Sequence, residues 1–151
     1  MAEHHKIPIS VLVVIHTPDL QVLLLERVDA LGFWQSVTGS QNQGETFLQT
    51  VQREVREETG LEAADFSLTD WHQKNRYEIY ARWRNRYAPG VTHNTEHVFS
   101  LQLPQPLPVK LAPREHVQYQ WLPWQDAADK VFSSSNAVAI RELPQRISIP
   151  R

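Results

Sequence analysis

Residues 46–60 admit one regular conformation, and what they carry on it narrows the rest of the chain. Thr46 with Gln49 three residues later has the spacing of a capping box. Thr46 to Glu58 therefore reads as helix, and Gly60 stands where a helix end favours a left-handed residue. Phe47, Leu48, Val51 and Val55 recur at helical spacing and form its apolar face. At about 100° per residue, Glu54, Glu57 and Glu58 fall within an arc of roughly 100° on one side. Three carboxylates this close repel one another, and Arg53 and Arg56 neutralise them only in part. Oxygen ligands in a chain with no cysteine fit a hard divalent cation, Mg²⁺ or Mn²⁺, rather than zinc. In a generic Glu-rich helix the same cluster would be a solvated acidic face.

The flanks of the helix argue against the generic case. From Gly39 the order is glycine, five residues, Glu45, seven residues, Arg53-Glu54-Val55, one residue, Glu57-Glu58, one residue, Gly60-Leu61. This pattern resembles the Nudix box at every defining position. The resemblance implies the Nudix fold and hydrolysis of a phosphoanhydride, with Glu54, Glu57 and Glu58 as catalytic metal ligands. It also implies that Glu45 and Arg53 brace the loop and helix. Gly39 and Gly44 suit a loop needing unusual backbone angles or close approach to phosphate. Nudix enzymes commonly recruit a further carboxylate from outside the box. Glu115, after Pro113-Arg114 and before a strand leading to Trp121, is the first choice, and Glu96 in Asn94-Thr95-Glu96-His97 is the second.

Ile7–Ile15 and Gln21–Arg27 are rich in Val, Ile and Leu and flank Thr17-Pro18-Asp19, so they read as a β-hairpin. Further strands are expected at Trp34–Thr38, Leu68–Lys74, Glu78–Trp83, Glu96–Leu103 and Val117–Leu122. A short helix fits Trp124–Val131. A longer one starts at Asn136, capped by Ser135 and ended by Pro144. The pattern is α/β (α+β), a mixed β-sheet sandwiched between helices. With 151 residues and neither repeat nor linker, residues 1–151 read as a single domain.

Beyond the box, Lys6–Ile15, Phe33–Ser40, Arg86–Thr92 and Asn94–Glu96 resemble, in the same order, the bacterial branch of the Nudix family that cleaves dihydroneopterin triphosphate. That resemblance implies hydrolysis of 7,8-dihydroneopterin 3′-triphosphate to the monophosphate and pyrophosphate, a step of folate biosynthesis. A pterin is flat, and Phe33, Trp34, Tyr77 and Tyr80 are available for stacking, within a segment Tyr77-Glu78-Ile79-Tyr80 expected to alternate faces as a strand. Lys6 and Arg27 could hold the triphosphate, Thr38 could donate to phosphate or pterin, and Asn136 could offer an amide at a helix start. Solvent-facing or capping roles are the competing reading for each.

A (deoxy)nucleoside triphosphate pyrophosphatase is the alternative activity, since purines and pterins share a fused, hydrogen-bonding shape. A non-catalytic nucleic-acid or ligand-binding module is the alternative class. For it speak Arg82, Arg84 and Arg86, expected on one strand face and interleaved with Tyr77, Tyr80, Trp83 and Tyr87. Against it stand the intact glutamate set and a net charge of −2. The absence of cysteine excludes a thiol nucleophile and a disulfide scaffold. Met1–Lys6 lacks an apolar leader and no run reaches membrane-spanning length, so a cytoplasmic enzyme with a small triphosphate substrate is expected. Its oligomeric state is open between monomer and dimer.

Overall fold

A computed structural model describes residues 5–147; Met1–His4, part of the segment read above for a leader, lie outside it. Its strands are β1 (Ile9–His16), β2 (Gln21–Arg27), β3 (Trp34–Gln35), β4 (Val37–Ser40), β5 (Ser67–Glu78), β6 (His93–Gln102) and β7 (His116–Pro123). The helices are α1 (Phe47–Thr59), α2 (Trp124–Lys130) and α3 (Ser134–Arg146), with 3₁₀ turns at Ala63–Asp65 and Ala81–Arg86. Among the described residues the strands form one mixed sheet in the order β3-β2-β1-β6-β5, with β4 also on β1 and β7 also on β2.

Alternation along β1 divides the core. Val11, Val13 and Ile15 pack with Val51 and Val55 of α1, whereas Leu12 and Val14 pack with Ala139, Ile140 and Leu143 of α3. Helices therefore cover both faces, as the patterning predicts. Each fully buried valine of α1 contributes about 1.5–3 kcal/mol, so packing holds the helix to the sheet. Leu48, expected on that apolar face, instead keeps 52% of its surface exposed. No described helix is long and apolar enough to cross a membrane.

The expected hairpin is only half formed. β1 meets β2 at His16–Val22 alone. Beyond that point the strands part, and β1 pairs antiparallel with β4 and parallel with β6, while β2 pairs with β7. Both apolar runs are buried on both faces, so each takes strand neighbours on two edges, and a hairpin supplies one. The expected strand Trp34–Thr38 breaks at Ser36, where the chain moves from β2 to β1.

Two further expectations change. The strand expected at Glu78–Trp83 does not exist: β5 ends at Glu78 and the chain turns into the 3₁₀ segment. In a 3₁₀ turn side chains three apart eclipse, which lets Tyr80 stack on Trp83 with ring centroids 5.3 Å apart. Arg82, Arg84 and Arg86 consequently share no strand face. Ser133, not Ser135, caps α3, which continues through Pro144.

Candidate active site

The loop after β4 and the first turns of α1 are locked together by Arg53. Its guanidinium donates to both carboxylate oxygens of Glu45 at 2.7 and 3.0 Å, to the Ser40 carbonyl at 2.8 Å and to Glu54 Oε1 at 2.6 Å. Glu45 also accepts from the Asn42 N–H at 2.8 Å and the Thr50 hydroxyl at 3.1 Å. The Arg53 bonds, with help from Asn42 and Thr50, hold the Glu45 carboxyl down to about 2 against a smaller opposing effect of burial. The capping box forms as expected, with Gln49 N–H on Thr46 Oγ1 at 3.1 Å and Thr46 N–H on Gln49 Oε1 at 2.9 Å. Gly60 ends the helix with φ 74°.

Gly39 serves a purpose the sequence did not disclose. Its backbone is ordinary, but a Cβ there would overlap the Glu54 carboxyl. Glycine at this strand position is what allows a helix carboxylate to lie against the sheet.

Glu54 and Glu58 are buried, whereas the Glu57 side chain is half-exposed and reaches back to Arg53 at 3.4 Å. Burial raises the Glu54 carboxyl, partly opposed by Arg53. Glu58 is pushed well above the ordinary carboxylate range, first by burial and then by Glu54 and Glu115. Neither Glu58 oxygen meets a donor at hydrogen-bonding geometry among the described residues. His116 Nε2 lies 3.9 Å away, but burial and the nearby Arg27 lower that imidazole to about 4, leaving it neutral and no ion-pair partner at pH 7. A buried Glu58 without a donor beside a second buried carboxylate is costly as it stands, and a hard divalent cation relieves it. The donor set therefore fits one. Among the described residues no three acidic or imidazole side chains already converge on one point, because Arg53 draws Glu54 and Glu57 toward itself.

Glu54, Glu57, Glu58 and Glu115 line one cavity of about 560 Å³. Glu115 is fixed there by its backbone, which donates to Ala112 and accepts from Val28, both at 2.9 Å. Glu96, the second choice for a fourth acid, is elsewhere: it lines an adjoining cavity of about 250 Å³ with Tyr77, Tyr80, Trp83 and Phe132. The two cavities share Lys6, Arg27, Thr38, Gly39, Ser40 and Arg86 along their junction.

The expected ligand residues divide accordingly. Lys6 and Arg27 stand at the junction. Much of Lys6 is exposed, yet desolvation around its ammonium, followed by Arg86, lowers its pKa. Thr38 is also at the junction, but its hydroxyl donates to the Val11 carbonyl at 3.0 Å, leaving it an acceptor toward the cavity rather than the expected donor. Tyr77, Ile79 and Tyr80 line the smaller cavity; Glu78 lies at its edge, 3.2 Å from Arg84. Burial and Glu96 push the Tyr77 phenol up to about 12, so it stays protonated. Asn136 lines the smaller cavity, and its amide is oriented by Ser36, accepting from its N–H at 2.8 Å and donating to its hydroxyl at 2.9 Å, which secures the break between β3 and β4. Trp34, one of the stacking candidates, is buried in the α3-side core.

Two contributors, Phe132 and Asp29, were not singled out from sequence, and a third, Arg86, was read there for a basic–aromatic stretch rather than for this site. Phe132 stacks on Phe33 at 4.8 Å and packs edge-on to Trp83, although it lies far along the chain from both. Arg86 contributes charge at the junction. Asp29 organises that charge: it accepts from Arg27 at 2.7 and 2.8 Å, Arg86 at 2.9 Å and Trp83 Nε1 at 3.1 Å. Those bonds hold its carboxyl far below the usual range. Its spacing two residues after Arg27 is the one local signal.

The NUDIX domain profile matches residues 6–143. The chain belongs to the Nudix family. Among its Nudix relatives, the Escherichia coli (strain K12) dihydroneopterin triphosphate diphosphatase is 44% identical over 142 residues, covering 92% of this chain and 93% of that enzyme. A Haemophilus influenzae enzyme of the same name is 38% identical over 136 residues, covering 88% and 85%. The solved structure of the E. coli dihydroneopterin triphosphate pyrophosphohydrolase superposes with a TM-score of 0.88 at 42% identity, covering 95% of this chain and 99% of that one.

Proposed function

We propose that this chain, acting as one domain over residues 1–151, is a Mg²⁺-dependent Nudix pyrophosphohydrolase that converts 7,8-dihydroneopterin 3′-triphosphate and water to the 3′-monophosphate and pyrophosphate. The observation that carries this reading is the pairing of two cavities, one acidic and one aromatic, across a junction holding Lys6, Arg27 and Arg86. A pterin seated among Tyr80, Trp83 and Phe132 places its triphosphate tail across those cations and over α1. The relatives that bear this activity's name match 92% and 88% of this chain.

Glu54, Glu58 and Glu115, with Glu57 free to swing in from Arg53, would hold the cation. Bound there, Mg²⁺ would supply Lewis-acid polarisation of the phosphoryl group and neutralisation of charge on the departing pyrophosphate. Lys6, Arg27 and Arg86 bind phosphate oxygens and orient the α–β anhydride. Glu115, exposed at the cavity rim, is placed to accept the proton of the attacking water. The water oxygen joins one phosphorus as the bridging P–O bond breaks. Mn²⁺ satisfies the same oxygen donors.

Purified protein with Mg²⁺ is expected to release pyrophosphate from dihydroneopterin triphosphate with higher kcat/KM than from any common dNTP, and chelation should abolish it. Glu58→Gln is expected to lower kcat at least ~100-fold, beyond the loss typical of a residue that merely supports a metal ligand. A dNTP preferred over the pterin would replace the substrate, and absence of metal-dependent release from every triphosphate would overturn the reading.

A further inference from the structure

Glu96 is a buried carboxylate that the hydrolytic chemistry does not use. It sits on β6, beside Ser10 of β1 and Asn75 of β5 in register, and is 4% exposed. Its position lines the aromatic cavity, away from Glu54, Glu57, Glu58 and Glu115. Ser135 at the start of α3 donates to Oε1 at 2.9 Å, the Asn75 side chain on β5 is a second hydrogen-bonding neighbour, and no Lys or Arg charge stabilises it among the described residues. An ionised carboxylate has about four acceptor sites, so capacity remains for whatever enters the cavity. Glu78, at the edge of the same cavity, differs in both respects: its side chain is 67% exposed and it is paired with Arg84.

Asn94 adds a second acceptor on the same strand face, two residues away. Its amide nitrogen donates to Ser10 Oγ at 2.7 Å and to the Tyr77 hydroxyl at 3.0 Å. Those bonds fix the orientation of the amide, and its oxygen is left buried without a donor. The cavity floor therefore offers acceptors with too few protein donors, which suits a ring whose edge is rich in N–H groups. A 2-amino-4-oxo-pyrimidine ring has that edge: the ring N–H and the adjacent amino group present two parallel donors, matching a carboxylate in bidentate fashion. Adenine and cytosine present a ring nitrogen lone pair beside their amino group, and a carboxylate repels it.

We propose that Glu96, backed by Asn94, is the specificity-determining residue that reads the 2-amino-4-oxo edge of the substrate ring. This rests on the pterin reading above and extends it to a reason for the choice: pterin and guanine carry the edge, while adenine, cytosine and hypoxanthine lack it in whole or part. A site built to hydrogen-bond a substrate N–H rejects an analogue without it because its own buried acceptors are then left unpaired.

The test is Glu96→Gln, which keeps the shape and the Ser135 contact but replaces one acceptor with a donor. The kcat/KM ratio of dihydroneopterin triphosphate over dATP is expected to fall ~30-fold or more, chiefly through KM, and the affinity for neopterin, read by its own fluorescence, to fall in parallel. A structural role for Glu96 would instead depress all substrates together and leave the ratio within ~3-fold, and that outcome overturns the proposal. If the variant does not fold, the wild-type enzyme decides through dGTP against dITP, which differ only in the 2-amino group. A preference for dGTP of ~10-fold or more is expected, and equal use refutes the reading of the edge. Wild-type protein that ignores dihydroneopterin triphosphate yet discriminates dGTP from dITP would overturn the substrate and leave the role of Glu96 standing.

Discussion

The two cavities are built in opposite ways. The acidic one draws its principal residues from a single run, Gly39 to Glu58, with Glu115 brought in from the turn before β7. The aromatic one gathers Tyr80 and Trp83 from a 3₁₀ turn, Glu96 from β6 and Phe132 from the connection between α2 and α3. One is held by a dense local network around Arg53, and the other by ring packing between distant segments. The contrast separates the chemistry, which is written locally, from the choice of substrate, which depends on the tertiary arrangement.

That separation can be broken first at Gly39. Gly39→Ala should lower kcat/KM about 100-fold for every triphosphate, because displacing Glu54 by an ångström disrupts the acid set whatever the ring. Assay of a pterin and a nucleotide substrate side by side checks it; a loss confined to one would show that the cavities are not independent.

Asp29 lines the acidic cavity and ties it to the aromatic one by accepting from Trp83 Nε1 at 3.1 Å. Asp29→Asn should raise KM about tenfold with a smaller change in kcat, since Arg27 and Arg86 lose the carboxylate that aims them. Steady-state kinetics separates the two parameters, and an effect on kcat alone would remove Asp29 from substrate positioning. Phe132→Ala should raise KM for the pterin about fivefold, the scale of one lost aromatic contact, and leave affinity for inorganic triphosphate unchanged.

The smallest effect concerns stability. Glu45 is lowered from 4.5 to about 2, so its contribution is complete above the unfolded value and lost as pH falls from 4.5 toward 2. Glu45→Gln should flatten the acid limb of the stability curve over that interval. A chemical-denaturation series between pH 6 and pH 2 reads it, and an unchanged slope would mean that the Glu45 carboxyl is not depressed in the folded protein.

Much of the acidic region was legible because helix periodicity, capping and glycine placement act over a few residues. Thr46, Gln49 and Gly60 take the local roles that spacing assigns them, and Glu45 and Arg53 form the brace that the Nudix resemblance implies. Residue spacing could not show that Gly39 makes room for Glu54, since that is a contact between a strand and a helix. The sheet was legible in composition but not in partnership: the runs in β1 and β2 are strands, yet buried strands carry no record of which neighbour they choose. The Tyr77–Tyr87 stretch misled because alternating arginines and aromatics suit a strand face as well as a 3₁₀ turn, and only contact with Phe33 and Phe132 decides between them. Asn136 was read for its amide at a helix start, and spacing carried no sign of the distant partner, Ser36, that orients it.

The parallel pairing of β1 with β6 has a consequence for how the chain comes into being. One edge of residues 9–16 finds its partner only at 95–102, so the middle strand of the sheet must wait, with that edge open, until well over half of the polypeptide has left the ribosome. Helix α1 can coil long before then, but it has no complete sheet to lie on. During synthesis an apolar, unpaired β1 edge is therefore the segment most exposed to association with other chains, and a chaperone that shields nascent strands would be expected to bind there.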